Sequence, residues 1–273
     1  MKKKDKRRAR ILILIFTFFV VGLVLFSLWN FILVEEIKIS KMEREVLKKD
    51  IKKIESLERA DRILIKDVLR QKAIEACFLE LIGEHKKKYN SEEIQNCIQL
   101  IAMIDERFRH KELDAPLILA WLEKESDGNP MAVSYMGAKG LTQLMDFSAK
   151  EAFINLGYSD YEKELVFDPV VNLTGGLNHF FELMNYWRRN GIKNESLILF
   201  YSLHSYKWGA KNTEQLFNSE KRAYRPAIEY VNWILNRKEY WSEKLENWMS
   251  SSQESEKEKE WSTGLEKAQI LDR

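Results

Sequence analysis

The sequence predicts an all-α fold, and three observations carry that prediction. The 273 residues contain only 4 Pro and 11 Gly, fewer turn-formers than a sandwich or barrel of short strands needs. Apolar residues recur at three- and four-residue steps through most segments between breaks, as on the buried face of a helix. No stretch alternates convincingly with the period of two that marks a half-buried strand. Apolar residues make up 45% of the chain and charged residues 32%, so the chain as a whole is neither disordered nor collagen-like. Its length allows one or two domains. A formal net charge of +2 is too near neutral to indicate a nucleic-acid binder. The two cysteines, Cys77 and Cys97, fall short of a disulfide scaffold or a four-ligand zinc site.

The first element is a basic tail. Residues 1–10 set seven basic side chains against Asp5, a local charge of +6, so the other 263 residues carry −4 of the total +2. Residues 11–34 follow, ILILIFTFFVVGLVLFSLWNFILV, 24 residues without a formal charge. A membrane span needs about 20 residues, and in lipid such a run must be helical to satisfy its own backbone. The run is longer than the apolar part of a signal peptide, no small-x-small cleavage site follows it, and it exits into Glu35-Glu36 with no Cys to take a lipid. The expectation is an uncleaved anchor in the cytoplasmic (inner) membrane, single-pass. Its basic flank stays in the cytoplasm and all that follows lies on the extracytoplasmic (periplasmic) side.

Residues 35–110 read as a helical stalk or linker. Leu47, Ile51, Ile54, Leu64 and Val68 keep amphipathic spacing without strict heptads. About fifty helical residues rise about 75 Å if straight, and such a stalk can instead fold back or pair with a second copy. Asn90 with Glu93 matches a capping pair, after which Ile94, Cys97, Ile98, Ile101, Ile104 and Phe108 share one face. Cys77 and Cys97, on the oxidising side, fit either a disulfide or two buried thiols. A further helix starts at Asp114 with Pro116 in its first turn. Helical patterns then run to about residue 240, broken at Asp127-Gly128-Asn129-Pro130, between Gly137 and Gly140, at Asp168-Pro169 and at Asn190-Gly191. Residues 246–273 form a polar tail, expected to be disordered or frayed from Ser250 onward.

The chemistry concentrates in Ala115 to Phe153. Ile118, Leu122 and Glu125 follow at +4 and +3, so on a helix Glu125 extends an apolar stripe. A carboxylate on the inward face of a helix end loses water, which raises its pKa and suits a general acid near neutral pH. Gly137, Ala138 and Gly140 permit close backbone approach beside it, and Gln143 lies where its amide can face the same cleft. The histidines at 85, 110, 179 and 204 show no metal spacing, and neither a metal nor an organic cofactor is expected. Trp187, Trp208, Trp233, Trp241 and Trp248 read mainly as packing residues, one or two of them available to line a groove.

Glu125-Ser126, Asn129-Pro130-x-Ala132-x-Ser134 and Gly137-Ala138-x-Gly140-Leu141-x-Gln143 together resemble the SLT-type lytic transglycosylases, lysozyme-like enzymes that cleave peptidoglycan glycan strands. Weaker blocks follow in family order. Asp168-Pro169-x-x-Asn172-x-x-x-Gly176 resembles the lead into the next helix. Tyr201 resembles the Tyr of a Tyr-Asn-x-Gly element. A Tyr-rich end runs from Arg222-x-Tyr224 to Tyr230-Val231. The resemblance spans about residues 111–240, within an expected catalytic domain at 111–245. It departs at Thr142, where the family has Met, and at Ser202-Leu203-His204, where Asn and Gly would follow Tyr201. A further family Glu falls on Glu220, or on Pro226 in the register that ends at Tyr230-Val231.

The resemblance implies a lysozyme-like helical fold and a single catalytic acid. Glu125 protonates the bridge oxygen after N-acetylmuramic acid (MurNAc), in a MurNAc–GlcNAc β-1,4 bond. The substrate's acetamido group steadies the developing cation, and Glu125 then takes the C6 hydroxyl proton as a 1,6-anhydro ring closes. Ser126, Ser134, Gln143, Tyr201 and Glu220 would bind the sugar, with Ser126 holding the carboxylate. The implied partners are peptidoglycan strands and the membrane through residues 11–34, with self-association through the stalk left open and no nucleic acid. Two alternatives stand beside it: a water-using lysozyme-like hydrolase, and a glycan-binding scaffold of an envelope apparatus with little turnover.

Overall fold

The computed structural model describes the backbone of residues 3–109, 113–157, 163–218 and 225–271. Side chains of residues 3–37, 39, 40, 43, 163, 216, 217 and 255–271 lie outside the description. The helices in order are α1 (Lys3–Leu81), α2 (Ser91–Phe108), α3 (Ala115–Ser126), α4 (Asp146–Asn155), α5 (Pro169–Arg189), α6 (Glu195–Trp208), α7 (Ala210–Phe217) and α8 (Arg225–Leu271). Strand pairing among the described residues is limited to two isolated bridges, Val133 with Lys139 and Lys139 with Leu144. The all-α expectation therefore holds for the described residues.

The chain divides into two units, Met1–Ile65 and Lys66–Arg273. In the first, Leu47, Ile51, Ile54 and Leu64 of α1 are exposed, with exposed ion pairs such as Lys48–Glu45 and Arg62–Glu58 one turn apart. The expected membrane anchor at 11–34 lies within α1, but its side chains are outside the described residues. Among the described residues no helix is long and apolar enough to cross a membrane.

The second unit corrects the expected boundary at residue 110. Leu69, Ile74, Phe78 and Ile82 are buried in the same core as Ile98, Ile101, Leu117 and Leu119. From Lys66 onward the supposed stalk is thus a wall of the globular unit. The spacing of apolar residues is the same for a free amphipathic helix and for one packed on a core, which is why periodicity misplaces the boundary. Tyr89 and the short 3₁₀ helix Gly83–Lys88 turn the chain into α2. There the expected capping box is present: Glu93 N–H donates to Asn90 Oδ1 at 2.8 Å, and Asn90 N–H to Glu93 Oε2 at 2.7 Å. Asp105, 2% exposed, accepts Arg70 Nε and Nη2 at 2.5 and 2.8 Å and the Ala115 N–H at 2.9 Å. A buried carboxylate is tolerable only when paired this fully, and the pairing ties α1 and α2 to the start of α3.

Cys77 and Cys97 are free and buried. Burial pushes the Cys77 thiol up and the Cys97 thiol to about 12, so both stay protonated and inert. At the other end, α8 continues helical to Leu271, and Met249 is buried beyond the boundary expected at 246. The backbone of the polar tail is thus helical where fraying was expected, because its first turns still have a core to cover.

Candidate active site

α3 begins as its sequence dictates. Asp114 accepts the Leu117 N–H at 3.0 Å, and Pro116 occupies a first-turn position that needs no N–H. Ile118 and Leu122 are fully buried, so the +4, +3 stripe does carry Glu125 inward. The helix stops at Asp127, whose φ of 55° is left-handed, followed by Gly128 at 71°. A Cβ on Gly128 would press on the Leu81 carbonyl and Ile82, and Tyr89 Oη donates to the Gly128 carbonyl at 2.7 Å. Ser126 Oγ is bonded to the Leu122 and Leu141 carbonyls at 3.2 and 2.8 Å. It clamps the helix end to the following loop and does not hold the Glu125 carboxylate.

Glu125 ends α3 against α8. The Tyr230 hydroxyl donates to Glu125 Oε1. The carboxyl is only partly accessible, and the protein packed around it raises its pKa from 4.5 to about 7 by desolvation. The Tyr230 hydrogen bond, Lys207, Trp121 and Lys124 pull the other way and do not overcome the burial. The Trp121 indole Nε1 is buried with no hydrogen bond of full geometry, so its N–H favours the anion as a nearby dipole. Tyr230 and Tyr206 are themselves pushed well above the usual phenol range by burial and by the Glu125 charge. Both remain protonated donors. Beside the carboxyl opens a recess of about 310 Å³ lined by Lys124, Glu125, Lys207, Pro226, Glu229, Tyr230 and Trp233. Of the five tryptophans weighed, Trp233 is the one at this recess. Trp187 and Trp241 are core residues, and Trp208 and Trp248 are packed.

The loop from Ser126 to Met145 forms around α5. Asp168 caps α5 through the Val170 and Val171 N–H groups at 2.9 Å, and Pro169 opens it. One turn on, fully buried Asn172 accepts from Thr142 N–H at 2.8 Å and donates through Nδ2 to the Lys139 and Val166 carbonyls at 3.1 and 2.8 Å. Gly140, with φ of 75°, passes so close to Asn172 that any Cβ would collide, and Gly176 is held as tightly against Thr142. Thr142, in place of the family's Met, gives Asn172 a hydroxyl partner at 2.8 Å. The expected sugar-binding residues serve the loop itself. Ser134 Oγ accepts the Ala138 N–H at 3.0 Å, and Gln143 Nε2 donates to the Ala132 and Gly140 carbonyls at 3.2 and 3.0 Å.

Two tyrosines reach the acid that the sequence reading did not place among its site residues. Tyr201 meets Trp187 at a tilt with ring centres 5.0 Å apart, packed against the core. Tyr206 is the one beside Glu125: it meets Trp121 edge-on at 5.1 Å, and its hydroxyl donates to the Thr142 carbonyl at 2.7 Å. The signal was present in Tyr206-Lys207-Trp208-Gly209, a Tyr-x-x-Gly spacing that Tyr201 lacks. Gly209, with φ of 88°, ends α6 and fixes Tyr206 in the last turn. Ser202, Leu203 and His204 are buried, so that departure falls in the core. Tyr230 belongs to the register that puts Pro226 in the recess; Glu220 lies outside the described residues. Among the described residues no cluster of His, Cys, Asp and Glu is arranged to hold a metal.

Residues 102–228 match the model of the transglycosylase SLT domain. The membrane-bound lytic murein transglycosylase C of Mannheimia succiniciproducens is 30% identical over 139 residues, covering 50% of this chain and 37% of that protein. The protein of the same name from Salmonella arizonae is 32% identical over 123 residues, 44% of this chain and 34% of its own. The chain thus spans about a third of the length of these curated relatives. A solved lytic transglycosylase Slt from Pseudomonas aeruginosa aligns with a TM-score of 0.44 at 19% identity, over 60% of this chain and 27% of that one. Over residues 102–228 the chain is thus similar to the transglycosylase SLT domain family.

Proposed function

We propose that the chain is a membrane-anchored peptidoglycan lytic transglycosylase with Glu125 as its single acid and base. One observation carries the proposal: a sheltered carboxyl at a helix end, titrating at about 7 and opening onto a recess. A group with that pKa is populated in both protonation states near neutrality, as a residue that first gives and then takes a proton requires. Protonated Glu125 gives its proton to the bridge oxygen between MurNAc and GlcNAc as the C1–O bond breaks. The substrate's 2-acetamido carbonyl oxygen shields C1, and Glu125 as carboxylate takes the C6 hydroxyl proton while O6 bonds to C1. The anhydro ring closes, Glu125 is reprotonated, and no water is consumed. Tyr230 orients the carboxyl throughout, and Tyr206 holds the Thr142 end of the loop in register.

Residues 11–34 supply the inner-membrane anchor in this proposal, consistent with relatives whose names describe them as membrane-bound. The exposed apolar positions of α1 before Ile65 are available to a second copy.

One observation favours a water-using hydrolase instead. Glu229 is a second carboxylate lining the recess, held by Arg225 at 2.7 Å, and two carboxylates are what ordinary glycosidases use. Digestion of purified sacculi, with mass spectrometry of the products, decides between them. The expected result is 1,6-anhydromuramic ends. Reducing ends would transfer the chemistry to water and Glu229, and intact sacculi would leave only a glycan-binding module.

A further inference from the structure

The Tyr206-x-x-Gly209 register puts a cation where the family element carries an uncharged amide: the residue after Tyr206 is Lys207. Lys207 is exposed and lines the same recess as Glu125, with Nζ 5.5 Å from the centre of the Tyr230 ring. Lys124 lines it too, with Nζ 4.7 Å above the exposed face of Trp233. Among the described residues neither lysine has a carboxylate within ion-pair distance. Glu229, the other acid of the lining, already faces Arg225 at 2.7 Å. Glu125 does not supply a standing counter-charge either, because it must be neutral to deliver its proton. A recess poised for cleavage therefore holds two ammonium groups with no fixed anion of their own among the described residues. An amide can both donate and accept toward a neutral sugar. An ammonium donates only, and its strong partners are anionic.

The geometry points to Lys207, supported by Lys124, as a specificity-determining residue that binds a carboxylate carried by the glycan in this recess. This deepens the proposed transglycosylase activity and rests on it for the identity of the polymer. Two sources offer the same chemistry: the free lactyl carboxylate of peptide-stripped muramic acid, and the carboxylates of an attached stem peptide.

Two substrate pairs test it. The first is peptide-free glycan with its lactyl groups free or converted to methylamides. The second is peptide-bearing glycan with its peptide carboxylates free or amidated. Each is assayed for turnover with the full chain, and for binding with the Glu125→Gln variant. The expected result is a preference of about tenfold for the free acid in one pair, about 1.4 kcal/mol, seen mainly in KM and in binding. That preference should fall to within about twofold in Lys207→Asn and return in Lys207→Arg, and 0.5 M salt should weaken it. A preference in the first pair assigns the lactyl group, and one in the second assigns the peptide. Equal turnover and equal binding within both pairs overturns the inference, as does a preference that survives Lys207→Asn. If no glycan is cut, the proposed activity fails, and binding by the Glu125→Gln chain alone decides the role of Lys207. Thermal melts of each variant separate lost folding from lost recognition.

Discussion

Glu123 and Glu125 stand two residues apart on one helix and face opposite surroundings. Positions i and i+2 point about 200° apart around a helix, so α8 meets them with different side chains. Glu123 receives Arg237 Nε and Nη2 at 2.7 Å each and the Trp241 indole N–H at 2.8 Å. The Glu123 carboxylate in turn holds the Arg237 guanidinium, stacked 3.7 Å over Tyr240, above its usual range. Glu125 receives one phenol, and no guanidinium reaches it among the described residues. The first carboxylate is a tether between α3 and α8, and the second is held near its titration point. The same residue type becomes structural or chemical according to whether its partner is a cation or a neutral hydroxyl in a dry setting.

The contrast breaks most visibly in turnover. Glu125→Gln should lower the rate of sacculus solubilisation by about 10²–10⁴-fold or more, the range a general acid–base contributes. Circular dichroism should show an unchanged helical content. Glu123→Gln should leave turnover within a few-fold.

Stability against pH separates the two acids next. Glu125 titrates at about 7 in the folded chain against 4.5 ordinarily, so the folded state binds the proton more tightly. The unfolding free energy should be highest below pH 4.5 with respect to this group, should fall as pH rises through about 7, and should level off above that, where the buried charge is complete. Glu125→Gln removes that fall. At pH 8 the variant should exceed the wild type by up to about 3 kcal/mol, less what partial exposure screens, measured by denaturant midpoints at pH 5 and 8.

On the Glu123 side, Arg237→Met should cost about 1–2 kcal/mol, since it removes two charge-assisted hydrogen bonds from a partly exposed pair. It should not move the pH at which turnover falls. The smallest effect sharpens the Glu125 side. Tyr230→Phe removes a hydrogen bond that favours the anion, so the alkaline fall in kcat/KM should shift upward, by no more than about one pH unit. A downward shift, or an equal shift in Arg237→Met, would mean that Tyr230 does not set the charge of Glu125.

The recess and the loop differ in how far they were legible. The Asn90–Glu93 capping box, the Asp114 cap and the inward turn of Glu125 depend on side chains within one turn of helix. Local spacing is enough for those. Ser126, Ser134 and Gln143 lie in the loop next to Glu125 in sequence, yet their hydrogen bonds serve its backbone. Proximity in sequence gives no direction once a loop turns at Gly137 and Gly140. Tyr206 and Tyr230 arrive from 81 and 105 residues further along the chain, and their choice over Tyr201 is made by the packing of α6 and α8.

By itself the sequence determined the helical class, the starts of α2 and α3, and the inward turn of Glu125, because caps and periodicity act over a few residues. Tertiary structure alone decided that the chain from Lys66 belongs to the core, that the two thiols stay apart, and that a phenol and two ammonium groups surround the acid. Burial and charge environment are sums over residues distant along the chain, and the chain brings those together only by folding.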